Sequence, residues 1–466
     1  MSAIIHFGSD GWRGRADDPD VRENVVRIAD AAASLWAREH PGGIILVSYD
    51  TRPQSNELAQ LAAGVVAAHD LDVRLSQSYA PMPALSWALA QDDAAVGGLM
   101  ITASHHPLEY TGVKFRMGDG GCATPDFTEE LEAAVPGDAT EARGSFDSTD
   151  LMTSYVEELR KRVDTDAIAA ARLKVVYDPM YGAARGAFAS VLREMGVEVR
   201  EIHGVPDDGM ADLHPEPIEP WADECESAVV EGGAVAGFIN DGDGDRVAAV
   251  DEKGRYVCPD KIIALLMGHL VNRHGQAGRV VVNLSSSVLI RRIAHDLGCR
   301  VTVKPIGFRH IYREICKGDV LIGGEASGGI GFPCHMPERD GLLAVLLLIE
   351  LMALSGKTLA QLVDELEAHY GKMRYGRRDV RLAAEEIESL HLMLPGINPS
   401  SVAGKQPVSV DRKDGLRLEF ADESWLLLRP SGTEALVRVY AEAATVEERD
   451  ALLEEGCAIA RGESVK

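Results

Sequence analysis

Three similar α/β domains with mixed sheets, then a smaller α+β domain, around a central cleft: this is the fold that the 466-residue sequence predicts. Three observations carry the prediction. First, segments 44–75, 173–202 and 279–305 share one pattern: an apolar β-branched run, a polar turn, an amphipathic helix, a Gly or Asp stop and a second short strand. That is a β–α–β unit, for which a parallel, right-handed crossover is the default. Second, each unit is followed by another apolar run that ends in an unusual polar loop. Open α/β sheets bind ligands at the carboxyl ends of their strands, so three such loops point to one shared cleft. Third, from Met373 the pattern changes to alternating strands.

Taken in order, the first domain (1–150) opens with FGSDGWRG, which puts Arg13 in a glycine-flanked turn, and its run VGGLMITASHHP ends around Ser104. The second domain (151–254) carries VAGFINDGDGDR. The third (255–370) carries KPIGFRHIYREI, with Arg309, and then VLIGGEASGG. In the fourth (371–466), GLRLEF and SWLLLRPSGTEALVRVYAEA read as antiparallel strands with one exposed face, closed by the amphipathic helix VEERDALLEEGCAIAR. The longest apolar run, GLLAVLLLIELMAL, is too short to span a bilayer and contains Glu350, so it is expected as a buried helix.

Hydrophobic residues make up 46% and charged residues 26% of the chain, the balance of a soluble globular protein. A net charge of −26 argues against a general nucleic-acid binder and requires a local basic patch for any anionic substrate. Seven cysteines without a C-x-x-C pair point to reduced thiols and give no metal site. The N-terminus lacks the basic region and apolar core of a signal peptide. A cytoplasmic protein is expected, monomeric or homodimeric, with neither membrane nor nucleic-acid partners.

Asp241, Asp243 and Asp245 alternate with glycines in NDGDGDR. Three carboxylates this close repel one another unless a cation sits among them, and oxygen ligands favour Mg2+, Mn2+ or Ca2+ over zinc. An EF-hand is excluded, because Arg246 stands where that loop needs glycine and the flanks read as strands. Ser104 has His105 and His106 beside it, yet adjacent residues do not readily form a serine–histidine pair, and no Gly-x-Ser-x-Gly elbow is present. A phosphoserine is a doubly anionic ligand that would complete a metal site with the aspartates, so Ser104 is read as a phosphoryl carrier. RPSGTE combines Arg429, rigid Pro430, the hydroxyls of Ser431 and Thr433 and flexible Gly432, the parts of a phosphate clamp. By itself it also reads as an ordinary turn. Arg438, on the outgoing strand, either supports the clamp or is merely exposed. Glu325 and Ser327, among four glycines, do not fit a dinucleotide fingerprint and suit sugar hydroxyls. Arg13 and Arg309 read singly as surface residues, but with Lys114 and Arg246 they could supply the positive charge that an acidic protein needs.

On these motifs the chain resembles the α-D-phosphohexomutase superfamily, the phosphoglucomutases and phosphomannomutases, along essentially its whole length. Thr102 to Pro107 matches the family's Thr-Ala-Ser-His-Asn-Pro, and 241–246 matches Asp-Gly-Asp-Gly-Asp-Arg without change. The sugar loop Gly-Glu-x-Ser-Gly falls at 324–328 and the phosphate loop Arg-Pro-Ser-Gly-Thr-Glu at 429–434. The resemblance implies Mg2+ held by Ser104 and the three aspartates, with Ser104, Lys114 and Arg13 catalytic and Lys114 moving the proton. It implies sugar-phosphate binding by Arg246, Arg309, Glu325, Ser327, Arg429, Ser431, Gly432, Thr433 and Arg438. Phospho-Ser104 would donate to a hexose 1-phosphate, and the resulting 1,6-bisphosphate would reorient and return its other phosphoryl group. Glucose 1,6-bisphosphate is thus the implied intermediate and activator.

Four positions depart from the family pattern. His106 stands where asparagine is usual, Thr111 replaces the asparagine of an Asn-Gly turn, and Arg309 replaces a common lysine. Gly329 stands where many bacterial glucose/mannose and glucosamine mutases carry histidine. Hexose phosphates of glucose and/or mannose are the expected substrates, and the Gly-Gly-Glu-x-Ser-Gly-Gly form, which resembles the phosphoglucomutase branch, puts glucose 1-phosphate first. The alternatives are a phosphoglucosamine mutase, a Mg2+-dependent sugar phosphatase and a non-catalytic sugar-phosphate sensor. The intact serine, aspartates and lysine argue against the sensor.

Overall fold

Each of the three strand–helix–strand segments forms a parallel pair, and each leaves its first strand by the same turn. Ile44–Tyr49 pairs with Asp72–Ser76, Lys174–Asp178 with Glu198–Glu201, and Arg279–Asn283 with Val301–Lys304. At the end of each first strand a short side chain accepts the N–H two residues on. Asp50 Oδ1 takes it from Arg52 (3.0 Å), Asp178 Oδ1 from Met180 (2.8 Å) and Asn283 Oδ1 from Ser285 (3.1 Å). Such an Asx turn lets the chain leave the sheet sharply toward the returning helix.

The structure is a computed structural model and describes residues 5–8, 10–206, 210, 212–431 and 436–463. Two units divide it: Met1–Gly278 with Gly307–Leu362, and Arg279–Ile306 with Val363–Lys466.

In the first unit, six strands lie in the order Trp12–Arg15, Tyr110–Met117, Ala95–Ile101, Ile44–Tyr49, Asp72–Ser76, Asp147–Thr149. The last four run parallel and the first two pair antiparallel, so the sheet is mixed. The second sheet repeats the scheme: Ala236–Asn240 is parallel to Lys174–Asp178 and antiparallel to Val247–Asp251. Val320–Gly324 pairs antiparallel with Ile330–Gly331. Residues 102–109, 241–246 and 325–329 are therefore all hairpin connections between antiparallel strands. Ile44–Tyr49 and Ala236–Asn240 are buried throughout, as continuous apolar runs require.

The apolar run forms the helix Gly341–Ser355, buried from Gly341 to Glu350. Glu350 is tolerated there because its carboxylate is fully occupied. Oε2 meets His269 Nε2 (2.6 Å) and His274 Nε2 (2.8 Å), and Oε1 accepts the Asp164 N–H (2.7 Å). Among the described residues no single helix is long and apolar enough to cross a membrane.

The second unit holds an antiparallel sheet in the order Arg374–Arg381, Leu436–Ala443, Trp425–Pro430, Leu416–Phe420, Pro407–Asp411. Here the expectation of one exposed face is corrected, since the three central strands are buried at nearly every residue. Helix Val446–Ala460 covers one face, packing Leu452 and Leu453 with Leu426, Leu428 and Val439. Leu284, Val288 and Leu289 cover the other at Trp425, Leu427 and Tyr440. That second cover comes from a segment far away in sequence, which local alternation cannot encode.

Candidate active site

Ser104 sits in the hairpin loop with φ +52°, a left-handed conformation that costs a residue other than glycine about 1 kcal/mol. It is buried, its N–H donates to Thr102 Oγ1 (2.8 Å), and its hydroxyl donates to Asp241 Oδ2 (3.0 Å). The aspartate loop can come this close because residue 242 is glycine: a Cβ there would lie 2.4 Å from the Ser104 carbonyl oxygen. His105 Nδ1 is 3.5 Å from Ser104 Oγ, a marginal distance, and His106 faces the Ala103 carbonyl instead (3.1 Å). Burial, then the cations around them, hold both imidazoles neutral: His105 is pushed well down and His106 to about 3.

One carboxylate oxygen from each of Asp241, Asp243 and Asp245 lies within 4.8 Å of the other two, and all three residues are buried. Asp243 Oδ1 and Asp245 Oδ1 meet no hydrogen-bond donor. Converging hard oxygens with unsatisfied lone pairs fit Mg2+. Burial raises Asp241 well above the usual carboxylate range, and the neighbouring Asp243 and Asp245 charges add to this. The Arg246 N–H donates to Asp241 Oδ1 (3.0 Å), and its guanidinium lies 3.4 Å from Glu216. Lys114 Nζ is 2.7 Å from Asp243, 3.0 Å from Asp245 and 2.9 Å from Asp10. Burial alone would lower Lys114, but Asp10 and the two aspartates outweigh it and keep it an ammonium.

Four charged residues of this network are not evident from the motifs: Asp10, Arg116, Glu338 and Arg339. Arg116 contacts Asp10 (3.1 Å) and Glu338 (3.2 Å), while Arg339 contacts Asp10 (2.7 Å), Asp245 (2.9 Å) and Glu338 (3.1 Å). One signal was available: Lys114 and Arg116 alternate along an otherwise largely apolar strand, so both cations leave it on one face. Buried charges need partners, and that face had to meet acids.

Arg13 pairs with Gly112 in strand register. Its Nη1 donates to the Trp12 carbonyl (2.9 Å), while its buried Nε has no partner. Asp10 and Asp243 lie close enough to act on its charge. The sugar-loop candidate is stitched to the aspartate loop: Val247 N–H donates to the Gly328 carbonyl (3.0 Å), and Arg246 and Gly329 form a bridge. Glu325 is buried and accepts the Gly307 N–H (3.0 Å), and Ser327 is half-buried. At Gly329 a Cβ would lie 2.4 Å from Arg339 Cδ, so Arg339 occupies the space that a larger residue would need. Arg309 lines a cavity of about 700 Å³ with Phe7, Gly8, Glu129 and Glu132.

In the second unit, Arg429 Nε donates to both Asp414 oxygens (2.9 Å each). Arg438 stands opposite Arg429 in register and opposite Asp379 on its other side. Like charges directly opposite on a sheet repel, which favours an anion between them. Ser431 is buried, and its N–H donates to the Leu436 carbonyl (2.9 Å). Gly432 and Thr433 lie outside the described residues.

A cation-ready carboxylate triad with a serine hydroxyl on one of its members defines a site suited to phosphoryl transfer. Family models agree along the chain: phosphoglucomutase/phosphomannomutase α/β/α domain I matches residues 5–141, domain II 153–254, domain III 258–370 and the C-terminal domain 356–458. A phosphoglucomutase/phosphomannomutase of Thermococcus kodakarensis is 31% identical, covering 97% of both chains. A phosphoglucosamine mutase of Salinispora arenicola is 33% identical over 94% of both. The solved structure of a candidate phosphomannomutase from Thermus thermophilus superposes with a TM-score of 0.88 at 34% identity, covering 98% of this chain and 99% of that one. The chain belongs to the α-D-phosphohexomutase superfamily and has its three α/β/α domains and C-terminal domain. It is accordingly an isomerase that transfers phosphate within a sugar phosphate.

Proposed function

We propose that this enzyme interconverts hexose 1-phosphates and hexose 6-phosphates, of glucose and/or mannose, through phospho-Ser104 and a 1,6-bisphosphate. The observation that carries this reading is the 3.0 Å hydrogen bond from Ser104 Oγ to Asp241, at the edge of the buried triad. Asp241, Asp243 and Asp245, with the serine oxygen, would hold Mg2+, which when bound neutralises charge on the transferring phosphoryl group. In the first transfer the Oγ–P bond of phospho-Ser104 breaks as a bond forms from phosphorus to a sugar hydroxyl, whose proton must leave; in the second the other sugar O–P bond breaks as Oγ–P forms again, and the freed sugar oxygen takes up a proton. Lys114 moves that proton: its ammonium form, favoured by Asp10, Asp243 and Asp245, suits it as the acid, and it acts as base only from the neutral amine. Arg13 and Arg246 contribute positive charge beside the triad, and Glu325 and Ser327 take sugar hydroxyls. In the second unit Arg429, with Arg438, Ser431, Gly432 and Thr433, clamps the non-reacting phosphate. Seven free cysteines suit a cytoplasmic setting.

A second reading, a phosphoglucosamine mutase, is favoured by the likeness to enzymes of that name at 31–33% identity. An assay with the 1-phosphates of glucose, mannose, glucosamine and N-acetylglucosamine separates the two. Formation of glucose or mannose 6-phosphate in preference supports the first reading, and preference for the glucosamine substrate replaces it. Release of free phosphate in place of a 6-phosphate would mean a phosphatase.

A further inference from the structure

We propose that Arg52 is a positioning residue for Ser104, fastening the serine loop through its backbone carbonyls. A guanidinium has five N–H donors, and Arg52 uses all five. Nε donates to Asp50 Oδ2 (3.1 Å), Nη1 to the carbonyls of Pro107 (2.6 Å) and Tyr110 (3.1 Å), and Nη2 to those of Ser104 (2.8 Å) and His106. The side chain is only 5% exposed, so these bonds compete little with water.

The arm that makes these bonds is itself braced. Asp50 Oδ1 accepts the Arg52 N–H (3.0 Å) and the Ser55 hydroxyl (2.6 Å), and the Thr51 hydroxyl donates to the Tyr181 carbonyl (2.6 Å). The Ser104 carbonyl thus accepts from Arg52 and lies close against Gly242, whose missing Cβ would be 2.4 Å away. The first Asx turn thereby sets how far the serine stands from the aspartates. With every donor engaged by protein, Arg52 has none left for substrate. A lysine offers three donors at one point and cannot span four carbonyls, so charge alone does not replace it.

For its effect on turnover this inference rests on the proposed mutase reaction; for its effect on the loop it does not. Full-length Arg52→Lys and Arg52→Ala provide the test. Amide hydrogen exchange of peptide 102–112 should rise about tenfold or more in both, while helix Val446–Ala460 exchanges as in the wild type. With glucose 1-phosphate, kcat of Arg52→Lys should fall about 100-fold with KM within about twofold, the sign of misplacement without lost binding. Guanidinium at a non-denaturing concentration should restore part of the Arg52→Ala turnover, and equal sodium chloride should not. Unchanged exchange at 102–112 in Arg52→Lys, wild-type kcat, or a rise in KM alone would overturn the proposal. So would increased exchange over the whole chain, which would make Arg52 a general structural residue. If the wild type itself turns over no sugar phosphate, the proposed function fails, and the exchange measurement still decides the role of Arg52.

Discussion

Lys114 Nζ lies 2.7 Å from Asp243 Oδ2, tying the serine-loop hairpin to the aspartate loop of the next repeat. Both side chains are buried, so removing either leaves an uncompensated charge. Lys114→Met should therefore lose about 3–5 kcal/mol of stability, seen as a lowered Tm. Lys114→Arg keeps the charge but cannot exchange a proton near neutral pH, so kcat should fall about 100-fold or more with a smaller loss of Tm. A Lys114→Met protein as stable as the wild type, or Lys114→Arg with full kcat, would contradict these roles.

Chelation should abolish turnover, and added Mg2+ should restore it. Asp243→Asn removes one negative charge from a triad that offers three carboxylate oxygens within 4.8 Å of one another, so half-maximal activity should require about tenfold more Mg2+ or greater. Calorimetric titration of Mg2+ should show the same weakening. Turnover that survives thorough chelation would remove the metal from the mechanism.

His203 gives a pH signature away from the active site. Burial would lower it, but the hydrogen bond to Asp178 (2.9 Å), with Glu224 beyond, raises it from 6.5 to about 9. A raised pKa means stability fully present below about pH 6.5 and lost as the pH climbs through 9. The advantage of the wild type over His203→Gln should be on the order of 1–2 kcal/mol at pH 6, allowing for solvent screening. By pH 10 it should be gone. Melting curves of both proteins from pH 6 to 10 check this, and a constant difference would refute it.

Arg429 shares its Nε–H between both oxygens of Asp414 and faces Arg438 across the strand pair. If it clamps the non-reacting phosphate, Arg429→Ala should lower kcat/KM roughly 30- to 1000-fold while Ser104 can still be phosphorylated. Added glucose 1,6-bisphosphate should partly restore the rate, because the intermediate escapes before it reorients. Wild-type kcat/KM in this variant would end the clamp assignment.

The parts legible in the sequence are those with local chemistry. Ser104, the three aspartates and Glu325 stand in loops whose composition is unusual for a turn, and the repeated β–α–β pattern places each at a strand end. Asp10, Arg116, Glu338 and Arg339 were not legible, because a charge far in sequence from its partners says that it needs one but not which. Arg52 is harder still: four of its five acceptors are backbone carbonyls, which carry no residue identity. The doubly covered sheet of the second unit was missed for a related reason, since its second cover, Leu284 to Leu289, comes from a distant segment.

Ser104 as the phosphoryl carrier is open to direct measurement by intact-mass spectrometry of the protein after incubation with glucose 1,6-bisphosphate. The wild type should gain one phosphate-sized increment that maps to Ser104, and Ser104→Ala should gain none and turn over no glucose 1-phosphate. An increment that persists in Ser104→Ala, or near-normal turnover by that variant, would contradict the assignment.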